Sequence, residues 1–297
     1  MVSAEWTSLD DERAVAIDLY GHDGAARMAS WWELESSRVD DDAFAAAFYE
    51  HVSLPGVAND DYLHRIVRTS HGGLLGGIRF RDRDVTRPFV EVIAHGFDDL
   101  DRLRACVRDE WSVFRPRHLR ICTRPGLVTG PDALLDMTIH AARYRDVRPP
   151  DPSVRLSAFA TADAAIAMVN ERYERLAADD PALARNVTPA EPDDLRRWHD
   201  SGHLRAITYD GTPVGLLAVA PGSIRWIEGD EIQEEVVAAH HRGRGYAVYA
   251  QAAWAAGVGA DPDRLLIGTI DGVNVASRTT ALRAGRRRVL DRVFLAL

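Results

Sequence analysis

Between Arg242 and Ala247 the chain reads Arg-Gly-Arg-Gly-Tyr-Ala. Gly243 and Gly245 lack a Cβ, so the backbone there can take conformations closed to other residues and come close to a ligand. The Ala-rich stretch that runs on through Trp254 to Gly257 predicts a helix. The first turn of a helix leaves amide N–H groups unpaired, and the helix dipole places partial positive charge beside them. Together these form a seat for a phosphate or diphosphate. Arg242 and Arg244 add formal charge, and the β-branched run before the turn predicts the strand that carries it.

The pattern narrows the choice of anion. The chain has no Lys, which excludes a G-x-x-x-x-G-K-[ST] nucleotide loop. A dinucleotide fingerprint needs a third glycine where Val248 stands, close to the start of a chain. A polar Arg/Gly linker is excluded by the flanks, Val236-Val237-Ala238-Ala239 on one side and a good helix on the other. What fits is [QR]-x-x-G-x-[GA], met by Arg242, Gly245 and Ala247. The turn and its flanks resemble the acetyl-CoA-binding motif of the GNAT (Gcn5-related) N-acetyltransferases. Downstream, Asn274-Val-Ala-Ser277-Arg-Thr-Thr-Ala281-Leu-Arg-Ala-Gly285 resembles the N-x-x-S-x-x-x-A-x-x-x-G-F signature on the last helix of many members. Asn274 and Ser277 fall one turn apart on one face, although Asn274 also reads as a helix N-cap. Arg286 stands where the family usually has an aromatic, and Ala281 where some members carry a Tyr general acid.

The resemblance implies acetyl-CoA (CoA) as the acyl donor and direct transfer to an amine. It implies that backbone groups of Val237 and Ala239 grip the pantetheine. The diphosphate is then held by Arg242, Gly243, Arg244, Gly245, Tyr246 and Ala247, with Asn274 and Ser277 along the arm. A neutral amine must be generated, in the family by a carboxylate acting directly or through water. The strand before the turn offers Glu228, Glu231, Glu234 and Glu235. Glu234 and Glu231 are the candidate catalytic residues. Alternation places Glu234 opposite Glu231 and Glu235, unless a bulge intervenes. His240 and His241 have no Cys, Asp or Glu at metal-ligand spacing, so no metal is expected.

The elements that must position these residues recur in two halves. Helical patterning over 11–50 predicts a short helix around Ala14–Tyr20 and a second capped by Asp40–Asp42. Strands follow over Tyr62–Thr69, Leu74–Phe80 and Pro88–Ala94, then an amphipathic helix over Phe97–Phe114. A strand over His118–Thr123 and a helix around Pro131–Tyr144 close this half. Arg145–Ser153, with three prolines, is the expected linker. The second half predicts helices over Thr161–Ala178 and Glu191–Ser201, and a hairpin turning at Asp210-Gly211. The strand Arg225–Ala239 and the Gly-rich turn come next. A strand over Arg264–Thr269, a helix over Asn274–Arg283 and a strand over Arg288–Leu295 end it. The expected fold class is α/β, as two tandem acyltransferase domains, 1–148 and 153–297. Each is a mixed, mostly antiparallel twisted sheet flanked by helices. The order matches the family fold, and the chain resembles its two-domain members. At the point matching the turn, the first half has His95-Gly96-Phe97-Asp98-Asp99-Leu100-Asp101. Its aspartates would repel a diphosphate, so this half is read as degenerate in cofactor binding.

Composition sets the outer bounds. The 297 residues, 46% apolar and 27% charged, suit a globular protein of two domains. All 36 basic residues are Arg. The net charge of −9 argues against sequence-independent nucleic-acid binding and suits a cationic, amine-bearing acceptor. No uncharged apolar run could span a membrane, and no signal segment is read at the N-terminus, so a cytoplasmic protein is expected. Cys106 and Cys122 are expected as free thiols. The function expected is an acetyl-CoA-dependent N-acetyltransferase for a primary, small-molecule amine, as a monomer or homodimer. The alternative is a non-catalytic acyl-CoA-binding sensor or scaffold of the same fold.

Overall fold

The computed structural model describes residues 5–81, 84–257 and 261–297. Two compact units emerge, one formed by residues up to Met137 together with Leu290–Leu297, the other by Thr138–Val289. Each is a mixed, mostly antiparallel sheet with helices, so the α/β fold class read from the sequence is the one the chain adopts.

In the first unit, helices α1 (Asp10–Tyr20), α2 (Gly24–Ser37) and α3 (Asp42–His51) precede the sheet. Asp41 caps α3, its carboxylate accepting from the Phe44 amide at 3.0 Å. Strands β1 (Arg65–Thr69), β2 (Gly72–Phe80) and β3 (Pro88–His95) form an antiparallel meander. Helix α4 (Leu100–Glu110) then crosses to β4 (His118–Thr123), which runs parallel to β3. Phe97, Leu103, Val107 and Trp111 bury the inner face of this crossover against Leu74, Val90 and Leu119.

Strand β5 (Ala133–Arg143) leads into the second unit, where β6 (Val154–Ser157) follows the proline-rich stretch. Helices α5 (Ala162–Asp179), α6 (Pro181–Ala184) and α7 (Pro192–Asp200) come next. Strands β7 (Leu204–Tyr209), β8 (Thr212–Ile224) and β9 (Ile227–Val237) then form the meander. Asp210 and Gly211, at φ of 46° and 80°, make the primed hairpin turn that the Asp-Gly pair predicts. Helix α8 (Tyr246–Gly257) crosses to β10 (Leu265–Asp271), parallel to β9, and α9 (Val275–Ala284) and β11 (Arg287–Ala296) complete the chain. The strand order of this unit is β5-β10-β9-β8-β7-β6. One core packs α8 against Val214, Leu217 and Val219; another packs α5 and α7 against Leu216, Ala218 and Val236.

Three readings need correction. The helix expected around Pro131–Tyr144 is strand β5. The Ala-Leu-Leu-Asp-Met run favours a helix locally, but tertiary partners decide. Asp136 accepts from Arg120 at 2.8 Å, the Thr138 hydroxyl donates to the Ile270 carbonyl at 3.2 Å, and His140 Nδ1 lies 3.1 Å from the Arg286 carbonyl. The boundary between 148 and 153 also differs. The last strand belongs to the first unit, because β11 pairs antiparallel with β4 from Asp291↔Thr123 to Ala296↔His118. Finally, α2, β6 and the short α6 have no individual signal in the sequence. Trp31 of α2 is buried as a packing residue, and Trp32 meets Trp6 with ring centroids 5.3 Å apart.

Candidate active site

The parallel ladder between β9 and β10 holds only at Asp230↔Leu266 and Glu231↔Ile267. Beyond it the two strands continue without pairing to each other, β9 to Val237 and β10 to Asp271. A cavity of about 180 Å³ lies between these ends, walled by Ile232–Val236, Gly268–Asp271, Asn274, Ser277 and Arg286, with Arg172 and Tyr173 of α5 across from them.

The Gly-rich turn follows directly. Ala239–His241 form one 3₁₀ turn, and the Arg242 amide closes it on the Ala239 carbonyl at 3.3 Å. Gly243 and Gly245 sit at φ of 78° and 80°, the left-handed region that favours glycine. A Cβ on Gly243 would meet nothing within 4 Å, so the turn is open at that side. Among the described residues, the amides from Gly243 to Val248 have no hydrogen-bond partner; the Tyr249 amide, bonded to the Gly245 carbonyl at 3.1 Å, is the first that does. Arg242 and Arg244 are both exposed, and Arg242 approaches Asp179 at 3.9 Å. Tyr246 differs from its neighbours. Its ring is buried in the core against Tyr209, centroids 5.1 Å apart, so only its backbone belongs to the turn. Ala247 contributes an amide in the same way. Val237 is paired with Gly215 of β8, and the Ala238 amide donates to Val214 at 2.9 Å. The Ala239 carbonyl is taken by Arg242, which leaves its N–H as the group it could offer.

A bulge decides which acids face the cavity. Ala218 pairs with Glu234 and Val219 with Ile232, so Gln233 is the extra residue. The bulge puts Glu231 and Glu234 on one face, opposite Ala220 and Ala218, and sends Glu235 to the α8 side opposite Leu217. Strict alternation would have separated the first two. Of these two, Glu234 reaches the cavity wall, which Glu235 also lines, whereas Glu231 lies beside Gly222 of β8.

Glu234 is 8% exposed, and burial raises its pKa above the usual carboxylate value. It accepts from the Ala190 amide at 3.1 Å and the Glu235 amide at 3.3 Å, and the Tyr173 hydroxyl donates to it at 3.3 Å. The Tyr173 phenol is itself pushed up, first by burial and then by the Glu234 charge. On the other face, burial pushes Glu235 up to about 7, while Gln251 Nε2 donates to both its oxygens at 2.9 and 3.0 Å. Asn274 and Ser277 both line the cavity, and the Asn274 Oδ1 caps α9 by accepting from the Ser277 amide at 3.0 Å. Cap and cavity positions coincide.

Sequence reasoning misses Tyr173, on a helix with no motif, and Gln251, on the helix that the turn opens but beyond its motif, and takes Arg286 only as a departure from the family's aromatic. Their signal lies in polarity at positions that helical spacing assigns to a buried face. The His240 and His241 rings lie with centroids 4.0 Å apart, tilted at 47°. Among the described residues no group of three His, Cys, Asp or Glu side chains is placed to hold a metal ion. In the first unit the matching turn is closed. A Cβ on Gly96 would fall 2.1 Å from the Glu5 carbonyl, and the Asp99 carboxylate takes the Asp101 amide at 2.8 Å.

No protein-family model matches the chain, and no curated protein matches it significantly. Solved structures do. Several of the structures it is similar to are GNAT acetyltransferases, and others are of unknown function. One is a GNAT-family acetyltransferase from Colwellia psychrerythraea, 12% identical, with a TM-score of 0.46 over 84% of this chain and 93% of the other. Another is a GCN5-related N-acetyltransferase from Sphaerobacter thermophilus, 13% identical, at 0.45 over 84% and 89%. A tandem GNAT protein from the clavulanic acid biosynthesis pathway is 14% identical, at 0.39 over 87% and 96%. No helix among the described residues is long and apolar enough to cross a membrane.

Proposed function

We propose that the chain is an acetyl-CoA-dependent N-acetyltransferase that passes the acyl group to a primary amine by direct attack on the thioester. The observation that carries this reading is the row of unpartnered amides from Gly243 to Val248, which follows in the chain on the end of β9 that walls the cavity. The first N–H groups of a helix have no partner within it, and with the glycine turn before them they offer a seat for an anionic ligand. Acetyl-CoA fits it: the amides and the two arginines suit a diphosphate, while Asn274, Ser277 and the open strand edges suit its pantetheine arm. When bound, it supplies the activated acyl thioester.

Glu234 is the base. Its raised pKa makes it a stronger proton acceptor than an exposed carboxylate, and it takes the proton that the attacking amine sheds. As nitrogen bonds to the acyl carbon, the carbon–sulfur bond breaks and its electron pair leaves with the sulfur as a thiolate, the amine's proton resting on Glu234. Tyr173 holds the Glu234 carboxylate in place. Removing that donor in Tyr173→Phe is expected to raise the Glu234 pKa further, since the bond favours the charged form. The acid limb of the pH–rate profile should then move upward by roughly half a unit to one unit. An unmoved limb would mean that the hydroxyl does not act on Glu234. Glu231, off the cavity wall, has no part in this reading.

The first unit serves as a partner without cofactor chemistry, its turn filled by Glu5 and Asp99. Cys106 and Cys122 form no disulfide among the described residues, which suits a cytoplasmic, reducing setting. The test begins with calorimetric binding of acetyl-CoA and goes on to thiol release with a panel of primary amines. Binding with no release on any amine would favour the sensor or scaffold reading.

A further inference from the structure

The cavity between β9 and β10 contains a charge that acyl transfer to a neutral amine does not need. Gly285 ends α9 at φ 99°, and the turn directs the next residue, Arg286, inward. Arg286 is only 3% exposed, yet it lies on the cavity wall. Its Nε donates to Gln251 Oε1 at 3.0 Å. Its Nη1 is buried with no hydrogen-bond partner among the described residues. Gly268 of β10 makes room for that nitrogen, since a Cβ there would stand 3.0 Å from it.

The nearest acid does not neutralise the guanidinium directly. Gln251, 0% exposed, stands between, giving its oxygen to Arg286 and its amide to Glu235. Arg286 and Glu235 share no hydrogen bond or ion pair in the described residues. Burial of an unpaired cation is expensive, and an orphaned donor adds to that cost. A carboxylate is the group that an Arg fork matches, through two parallel hydrogen bonds. Gly268 and Gln251 hold the fork in position, with Nε engaged and Nη1 buried without a partner among the described residues.

We propose that Arg286 is a specificity residue that binds a carboxylate carried by one of the two substrates, either at the end of a dicarboxylic acyl group or on an amino-acid acceptor. This rests on the acyltransferase reading above. Both sources present the same chemistry to the same nitrogen.

The experiment compares wild type with Arg286→Met in two arms. In the first, calorimetry measures acetyl-CoA, succinyl-CoA and CoA. In the second, thiol release is followed with amino acids and with the amines made by removing their carboxyl group. If the acyl group carries the carboxylate, wild type binds succinyl-CoA at least tenfold tighter than acetyl-CoA, and the variant loses that preference. If the acceptor carries it, the two thioesters bind alike. Amino acids then exceed their decarboxylated amines at least tenfold in kcat/KM, and the variant again erases the difference. A wild type with neither preference overturns the proposal while leaving acyl transfer intact. Failure of CoA itself to bind removes the acyltransferase reading and this one with it. Should Arg286→Met not fold, Arg286→Lys keeps the charge without the fork, and the wild-type preferences still decide.

Discussion

Gly243→Asp is expected to weaken acetyl-CoA binding by roughly two to three orders of magnitude while leaving the fold in place. The backbone at Gly243 has φ of 78°, and Asp tolerates this left-handed region better than most residues. A Cβ there meets nothing within 4 Å, so no steric conflict arises. The added carboxylate, however, stands among the amides from Gly243 to Val248, where a diphosphate would bind. Like charges about 4 Å apart at an effective dielectric near 20 repel by about 4 kcal/mol, and each factor of ten in affinity corresponds to about 1.4 kcal/mol. Calorimetry with CoA, beside a melting curve for fold integrity, measures both quantities. Unchanged affinity in a well-folded variant would remove the diphosphate from this turn.

The second large effect belongs to Glu234→Gln. Loss of the general base should lower kcat/KM for acyl transfer by roughly 10²–10⁴-fold, with CoA affinity little changed. In wild type the acid limb of the profile should lie above the ordinary Glu range, because burial raises this carboxyl. In the variant that limb should vanish. The stability consequence has the opposite sense. A carboxyl whose folded pKa is raised stabilises the fold below its unfolded value, and that contribution is lost as pH rises through the folded value. Above that range Gln removes a buried charge, at the cost of setting its amide beside the donors from Ala190 and Glu235. The melting temperature should therefore shift little at neutral pH. A variant that keeps activity within tenfold, with its acid limb in place, would move the base elsewhere.

The turn is legible in the sequence because it depends on residue type at short range: two glycines at positive φ, an Arg pair and an Ala-rich helix all sit within a few residues. The hairpin at Asp210-Gly211 is legible for the same reason. The Gln233 bulge is not, since it is set by the register of β9 against β8. It reverses the side on which Glu234 falls relative to Glu231. Strand β5 escapes a local reading because its partners outweigh its propensity. Leu134, Leu135 and Met137 favour a helix, whereas Arg120, Ile270 and Arg286 fix Asp136, Thr138 and His140 in a strand. Arg286 reads as a lost aromatic, and only the packing of Gln251 and Gly268 shows what its guanidinium meets.

The last strand has a bearing on how the protein is made. Asp291 accepts from the Gly126 amide, 165 positions earlier, and the C-terminal residues complete the sheet begun by β1–β4. A ribosome must synthesise Asp291–Ala296 before β4 gains this neighbour, and contacts so distant in sequence form slowly. Cutting the gene near residue 148 should thus yield an aggregation-prone fragment with a bare strand, and supplying Arg287–Leu297 as a separate peptide should rescue it.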